Sequence, residues 1–270
     1  MSSNRILITV KTYPTISKTH NELVCTAGFT EEGEWVRLYP VPFRKLEEKK
    51  YKKYQWMNVV LDKNKKDPRP ESHCPRLDTI SLGDTIGTEQ SWERRKQIVF
   101  KKVPVFTNLD ELIGKANNNE LSLATFKPTE ILDFIVEEDD PDWDKDTLAE
   151  LQERAKQNDL FEEDIKELKL VEKIPFKFSY RFKDNVGKES KLMILDWEIG
   201  MLYLNTLKKA NNNKGEAIKK VRHKYFDTFV KNSDLHFFLG TTRQFHGWAN
   251  NPFVIVGLFT PPAILQESLF

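Results

Sequence analysis

Cysteine is nearly absent: 2 residues, Cys25 and Cys74, in a chain of 270. Two thiols cannot build a disulfide framework, and they point to a reducing compartment. Long apolar runs are missing too. No window approaches the roughly 18 consecutive apolar residues needed to cross a bilayer. The opening residues, Met1-Ser2-Ser3-Asn4-Arg5, lead into the short alternating stretch 6–10 without the apolar core of a signal peptide. The expectation is a cytoplasmic protein with no membrane partner. Also missing are a P-loop, a dinucleotide fingerprint and a nucleophile elbow, so ATP hydrolysis and hydride transfer have no signature. No catalytic residue and no cofactor is indicated, and a non-enzymatic role is expected.

What the chain has is charge, unevenly placed. Its 42 Lys+Arg and 41 Asp+Glu nearly cancel. Residues 1–136, however, carry 22 basic against 18 acidic side chains, residues 137–172 carry 5 against 15, and residues 173–270 carry 15 against 8. Two basic bodies flank an acidic stretch, and local field rather than net charge governs steering toward a polyanion. The division predicts an N-terminal body (1–136), an acidic helical connector (137–172) and a C-terminal body (173–270). The acidic connector could occupy the basic grooves until nucleic acid displaces it, in which case deleting Glu137–Asp140 tightens binding. With 39% hydrophobic and 11% aromatic residues, the chain is rich enough in apolar side chains to fold rather than stay disordered.

The first body reads as strands at 5–12, 22–30, 35–39 and 55–62, with a hairpin turn at Gly33 and an end to the ladder at Pro40 and Pro42. Residues 67–75, with three prolines, read as irregular. Helices are expected at 91–97 and 109–115, and one or two strands at 121–136. In the connector, apolar spacing over 146–168 predicts helix, capped by Asp146 or Thr147. The second body predicts a strand at 175–182, a hairpin tip at Asn185-Val186-Gly187 and a return strand at 190–195. A helix over 197–209 capped by Asp196 follows, then a basic helix over 215–231 and two closing strands at 235–241 and 253–260.

Candidate binding residues follow from residue type. On a strand, Trp35, Arg37 and Tyr39 share a face while Val36 and Leu38 take the other. With Val36 and Leu38 in a core, the Trp-Arg-Tyr face is left for a ligand, and Arg44 follows it. Aromatic faces interleaved with guanidinium groups are how single strands are held by stacking and phosphate contact. Arg69 is stiffened by neighbouring prolines and could be held by Glu71. The rings of Phe176, Phe178, Tyr180 and Phe182 predict a barrel core, leaving Arg181 and Lys183 on a basic outer face. Arg243 stands in the loop 240–252 with His246, between the closing strands. No metal site is expected: His73 and Cys74 are adjacent on an extended segment and point apart. Asp196 and Glu198, at i and i+2 on a helix, do not face one another.

Three sets of residues together resemble the bacterial dual OB-fold domain (DuOB) family. The first is Lys11-Thr12-Tyr13-Pro14-Thr15 with Val24-Cys25-Thr26-Ala27-Gly28 and Trp35-Val36-Arg37-Leu38-Tyr39-Pro40-Val41-Pro42-Phe43-Arg44. The second is Tyr54-Gln55-Trp56 with Asp67-Pro68-Arg69-Pro70-Glu71-Ser72. The third is Phe238-Leu239-Gly240-Thr241-Thr242, His246 and Asn251-Pro252-Phe253-Val254-Ile255-Val256-Gly257. The resemblance covers nearly the whole chain and implies two successive OB-type barrels, nucleic-acid binding and a setting in bacterial defence systems. The expected fold is therefore mainly β with α insertions (α+β): two OB-type barrels joined by the acidic helical connector. The expected function is non-catalytic binding of single-stranded or structured nucleic acid. The alternatives are an adaptor or sensor domain with a protein partner, and a metal-dependent nuclease.

Overall fold

Apolar alternation in the first hundred residues produces sheet. The computed structural model describes residues 3–17, 21–42, 51–158 and 170–263. Its first strands are β1 (Asn4–Lys11), β2 (Thr15–Ser17), β3 (Asn21–Thr30), β4 (Trp35–Pro42), β5 (Gln55–Val59), β6 (Leu61–Lys63), β7 (Ser72–Pro75) and β8 (Ser81–Thr85). They form one curled sheet in the order β6-β7-β4-β3-β1-β5-β8, with β2 beside β3. Gly33 takes φ +83° in the β3–β4 turn, as expected of a tight hairpin. Two expectations are corrected. Strand β4 runs on through Pro40 and Pro42, because β7 pairs it only at Arg37 and Leu38 and the β3 register shifts between Val24 and Thr26. Beyond that point, β4 needs donors on one side at most. The proline-rich stretch 67–75 is not wholly irregular either, since β7 lies parallel to β4.

The rest of the chain is α+β. Helix α1 (Glu89–Val99), β9 (Val105–Phe106), α2 (Leu109–Asn117), β10 (Leu123–Phe126), β11 (Glu130–Glu138) and α3 (Lys145–Asn158) come first. Strands β12 (Phe176–Lys183) and β13 (Glu189–Met193) follow, then α4 (Trp197–Lys209) and α5 (Lys214–Arg222). A π-helical stretch (His223–Thr228) and a short turn (Phe229–Asn232) lead to β14 (His236–Thr241) and β15 (Phe253–Phe259). One sheet has the order β15-β14-β10-β9, another β11-β12-β13. A parallel bridge, Ile194↔Ile255, joins them. Strands β10 and β11, assigned by sequence to the first body, pair with β14 and β12 of the second.

Caps place these helices as residue type dictates. Asp196 accepts from the Glu198 N–H at the start of α4, Asn108 from Glu111 at α2 and Asn213 from Glu216 at α5. At α3 the cap is Asp144, which accepts from the Thr147 N–H (2.8 Å), rather than Asp146 or Thr147. Residues 159–169 of the expected connector lie outside the described residues. Its start is not a separate linker: Glu137 and Glu138 complete β11, and Glu137 pairs with Lys191 (3.0 Å) while Asp139 pairs with Lys177 (2.9 Å).

The two halves share a core. Phe29 and Trp35 from the first sheet meet Phe238 from β14, with ring centroids 5.9 and 5.2 Å away, and Phe259 stacks on Phe238 at 5.8 Å. Tyr13 crosses to α4, stacks on Trp197 at 5.5 Å and needs Gly200 there, because a Cβ at that position would sit 2.4 Å from its ring. The four-ring strand β12 is core as expected: Phe178, Tyr180 and Phe182 are buried, and Phe176 is half-buried against them. No described helix is long and apolar enough to cross a membrane.

Candidate functional site

Where β3 and β4 meet β14 and β15, a small cavity of about 220 Å³ opens. Arg37, Tyr39, Arg69 and Arg243, four of the residues singled out from sequence, all line it, with Thr12, Cys25, Thr241 and Thr242. Their roles differ from expectation. The Trp-Arg-Tyr face of β4 does not look onto solvent: Trp35 is 7% exposed and Arg37 only 1%. The second half covers this face. Trp35 packs among Phe29 and Phe238, and Arg37 reaches across to Ser122. Val36 and Leu38 are buried on the opposite face, so β4 is covered on both sides. Arg44 lies outside the described residues.

Arg37 is a buried cation held by neutral groups. It donates to the Cys25 Sγ (3.1 Å), the Ser122 carbonyl (2.9 Å) and the Ser122 Oγ (3.1 Å), and its Nε has no partner. It makes no ion pair among the described residues. Burial lowers its pKa, and the neighbouring Arg69 lowers it further, against the pull of Cys25 and Glu71. Glu71 instead accepts from the Ser122 and Leu123 backbone N–H groups (2.9 and 3.3 Å). The Thr242 Oγ on the same cavity wall is also buried without a partner. Arg243 is exposed.

Arg69 is held by Asp67, not by Glu71. Its Nε and Nη2 grip the two Asp67 oxygens at 2.9 and 2.6 Å, its Nη1 donates to the Thr241 carbonyl at 2.7 Å, and its guanidinium lies 5.4 Å from the Tyr39 ring centre. Ser72 donates to Asp67 as well (2.7 Å). Burial alone would raise the Asp67 carboxyl, but these bonds hold it at about 2, below its usual 3.8. A carboxylate with a depressed folded pKa stabilises the fold above its unfolded pKa and loses that contribution as pH falls toward the folded value. Stability is therefore expected to drop by about 1–2 kcal/mol as pH falls from about 4 to about 2. Denaturant midpoints measured across that window check it, and Asp67→Asn should flatten the slope there.

Arg181 and Lys183 are not part of this pocket. They lie on the outer side of β12, where Arg181 is 3.9 Å from Glu189 and Lys183 is 3.2 Å from Glu130. The basic face expected there is charge-paired. A wider groove of about 1070 Å³ lies between the halves on the Trp35 side, but its cations are largely engaged: Lys102 with Glu34, and Lys115 with Glu120 (3.3 Å). Asp196 and Glu198 do converge, contrary to the expectation from helical spacing, because both bond the same cation. Lys53 Nζ sits 2.7 Å from Asp196 and 3.2 Å from Glu198. Burial opposes the Lys53 charge, and the two carboxylates override it and raise its pKa. Among the described residues, no group of three or more His, Cys, Asp or Glu side chains is placed to hold a metal ion.

Sequence reasoning missed Ser122, Asn119 and the role of His246. The His246 Nδ1 lies 3.0 Å from the Thr241 Oγ, and its Nε2 lies 2.8 Å from the Asn119 Oδ1. The Asn119 contact joins residues more than a hundred positions apart, and no local pattern announces it. Asp67 two residues before Arg69 was the one readable signal, since a short turn lets such a pair chelate.

Residues 2–101 match the family model of a domain of unknown function, DUF8758, and residues 105–270 match that of a second, DUF8757. The boundary between them falls just before β9, where the strand pairing also changes partners. No curated protein matches the sequence.

Proposed function

Because the chain belongs to the DUF8757 family of unknown function, we propose its role from its own geometry: it is a non-catalytic nucleic-acid-binding protein whose inter-half pocket takes a phosphate of a single strand. The observation that carries this is the convergence of Arg37, Arg69 and Arg243 on one cavity, with Arg37 buried and lacking a carboxylate partner among the described residues. A desolvated guanidinium left to neutral acceptors is costly, and an arriving phosphate oxygen offsets that cost through charge-assisted bonds. Arg69 is pre-oriented by Asp67, and Arg243 stands at the solvent end.

The OB-type reading belongs to the same proposal. In the second half, residues 123–138 serve two sheets, pairing β14 at one end and β12 at the other. The helices α4 and α5 fall between the third and fourth strands, and the third and fifth are bridged in parallel. That pairing supports a five-stranded OB-type plan. The likeness to bacterial dual OB-fold proteins, with the defence setting it implies, rests on the sequence motifs.

The test is fluorescence anisotropy with labelled single-stranded DNA, duplex DNA and RNA, each at two salt concentrations. Binding should fall steeply with salt, and Arg243→Ala should weaken it and reduce the slope of log K against log salt by about one contact. Arg243 is exposed and has no ion pair among the described residues, so this variant should keep its Tm. No binding to any probe at low salt overturns the proposal, and a salt-insensitive protein partner would make the adaptor role the better reading.

A further inference from the structure

Trp248 is 67% exposed and Phe245 is 40% exposed, two of the few large apolar side chains left on the described surface. Their rings lie 5.7 Å apart on the loop between β14 and β15. Scattered surface apolar residues need no explanation, but a paired Phe–Trp face on a fixed support does.

The loop is fixed from within. His246, 9% exposed, is pegged to Thr241 on one side and to Asn119 on the other. The Phe245 and His246 N–H groups donate to the Thr242 carbonyl, and that of Ala249 donates to the Phe245 carbonyl, giving two successive turns with Gly247 at φ +84° in the second. The Trp248 indole N–H donates to the Gln244 carbonyl at 2.8 Å, which sets its ring orientation. The Phe245 and Trp248 rings pack on each other on the outer side of these turns, while His246 is buried beneath. The rings thus stand outward on a segment fixed by its own hydrogen bonds.

The start of the same loop lines the arginine pocket through Thr241, Thr242 and Arg243. Cation and rings therefore follow one another along a single rigid segment, the pairing that single-strand binders use. We propose that Phe245 and Trp248 form a base-stacking platform for a nucleotide adjoining the one whose phosphate occupies the pocket. The exposed Arg243 guanidinium between pocket and rings favours a polyanion over an apolar peptide as the occupant. This inference rests on the nucleic-acid reading above and adds the site at which bases, as distinct from phosphates, are contacted.

The experiment compares a short fluorescein-labelled oligothymidylate with an abasic oligonucleotide of the same length and charge, using the full chain. Wild-type protein should bind the base-bearing strand about 5–150-fold more tightly, the range of one stacked base. Trp248→Ala should erase most of that preference and leave abasic affinity unchanged, and Trp248→Phe should restore part of it. Equal affinity for the two strands in the wild type, or a preference untouched by Trp248→Ala, overturns the platform while salt-sensitive binding keeps the pocket. Binding to neither strand at low salt overturns both.

Discussion

Replacing Arg69 by methionine is expected to destabilise the protein by about 3–5 kcal/mol, the usual cost of stranding one partner of a buried ion pair. Asp67, with a side chain only 1% exposed, would keep its charge beside only the Ser72 hydroxyl and the residue-69 backbone N–H, and the Thr241 carbonyl would lose its donor. Thermal unfolding should show a Tm loss on the order of 10 °C, and the double variant with Asp67→Leu should recover much of it, because no isolated charge then remains. A single variant as stable as the wild type would mean that Asp67 is neutral or solvated, and the pocket would lose its organising contact.

Trp35→Ala is expected to cost a similar amount, about 3–5 kcal/mol, as a large-to-small change in a packed core. The ring is 3.9 Å from Phe29 between centroids and meets Phe238 edge-on. The loss should appear as a lower denaturant midpoint with an unchanged m-value. If Trp35 were instead a solvent-facing stacking residue, the same variant would bind nucleic acid more weakly at unaltered stability. The two outcomes separate the buried position from the exposed one that strand alternation alone implies.

That contrast shows how far the sequence could be read. Strand alternation located β4 but misjudged its faces, because the rule that one face is core and the other is wet holds only when nothing covers the second. The cover comes from Phe238 and Ser122, far along the chain. The candidate site fared better than its rationale. Arg37, Tyr39, Arg69 and Arg243 read from sequence as separate surface groups, and they meet on one cavity because the β3–β4 hairpin and the β14–β15 pair pack against each other. Phe245 and Trp248 carry no signal in the sequence, since a ring in a loop says nothing until its exposure is known.

The sequence by itself determined the secondary elements and their local signals. Alternation gave β1, β3 and β12, Asp196 capped α4, and Gly33 and Gly187 turned their hairpins, because these depend on residues within a few positions of one another. Tertiary structure alone decided which charges are buried and which are paired. Lys53 with Asp196 and Glu198, Arg37 with Ser122, and His246 with Asn119 are all long-range choices. Desolvation and partner geometry set the behaviour of a charged side chain, and both are properties of the packed interface between the halves rather than of any segment.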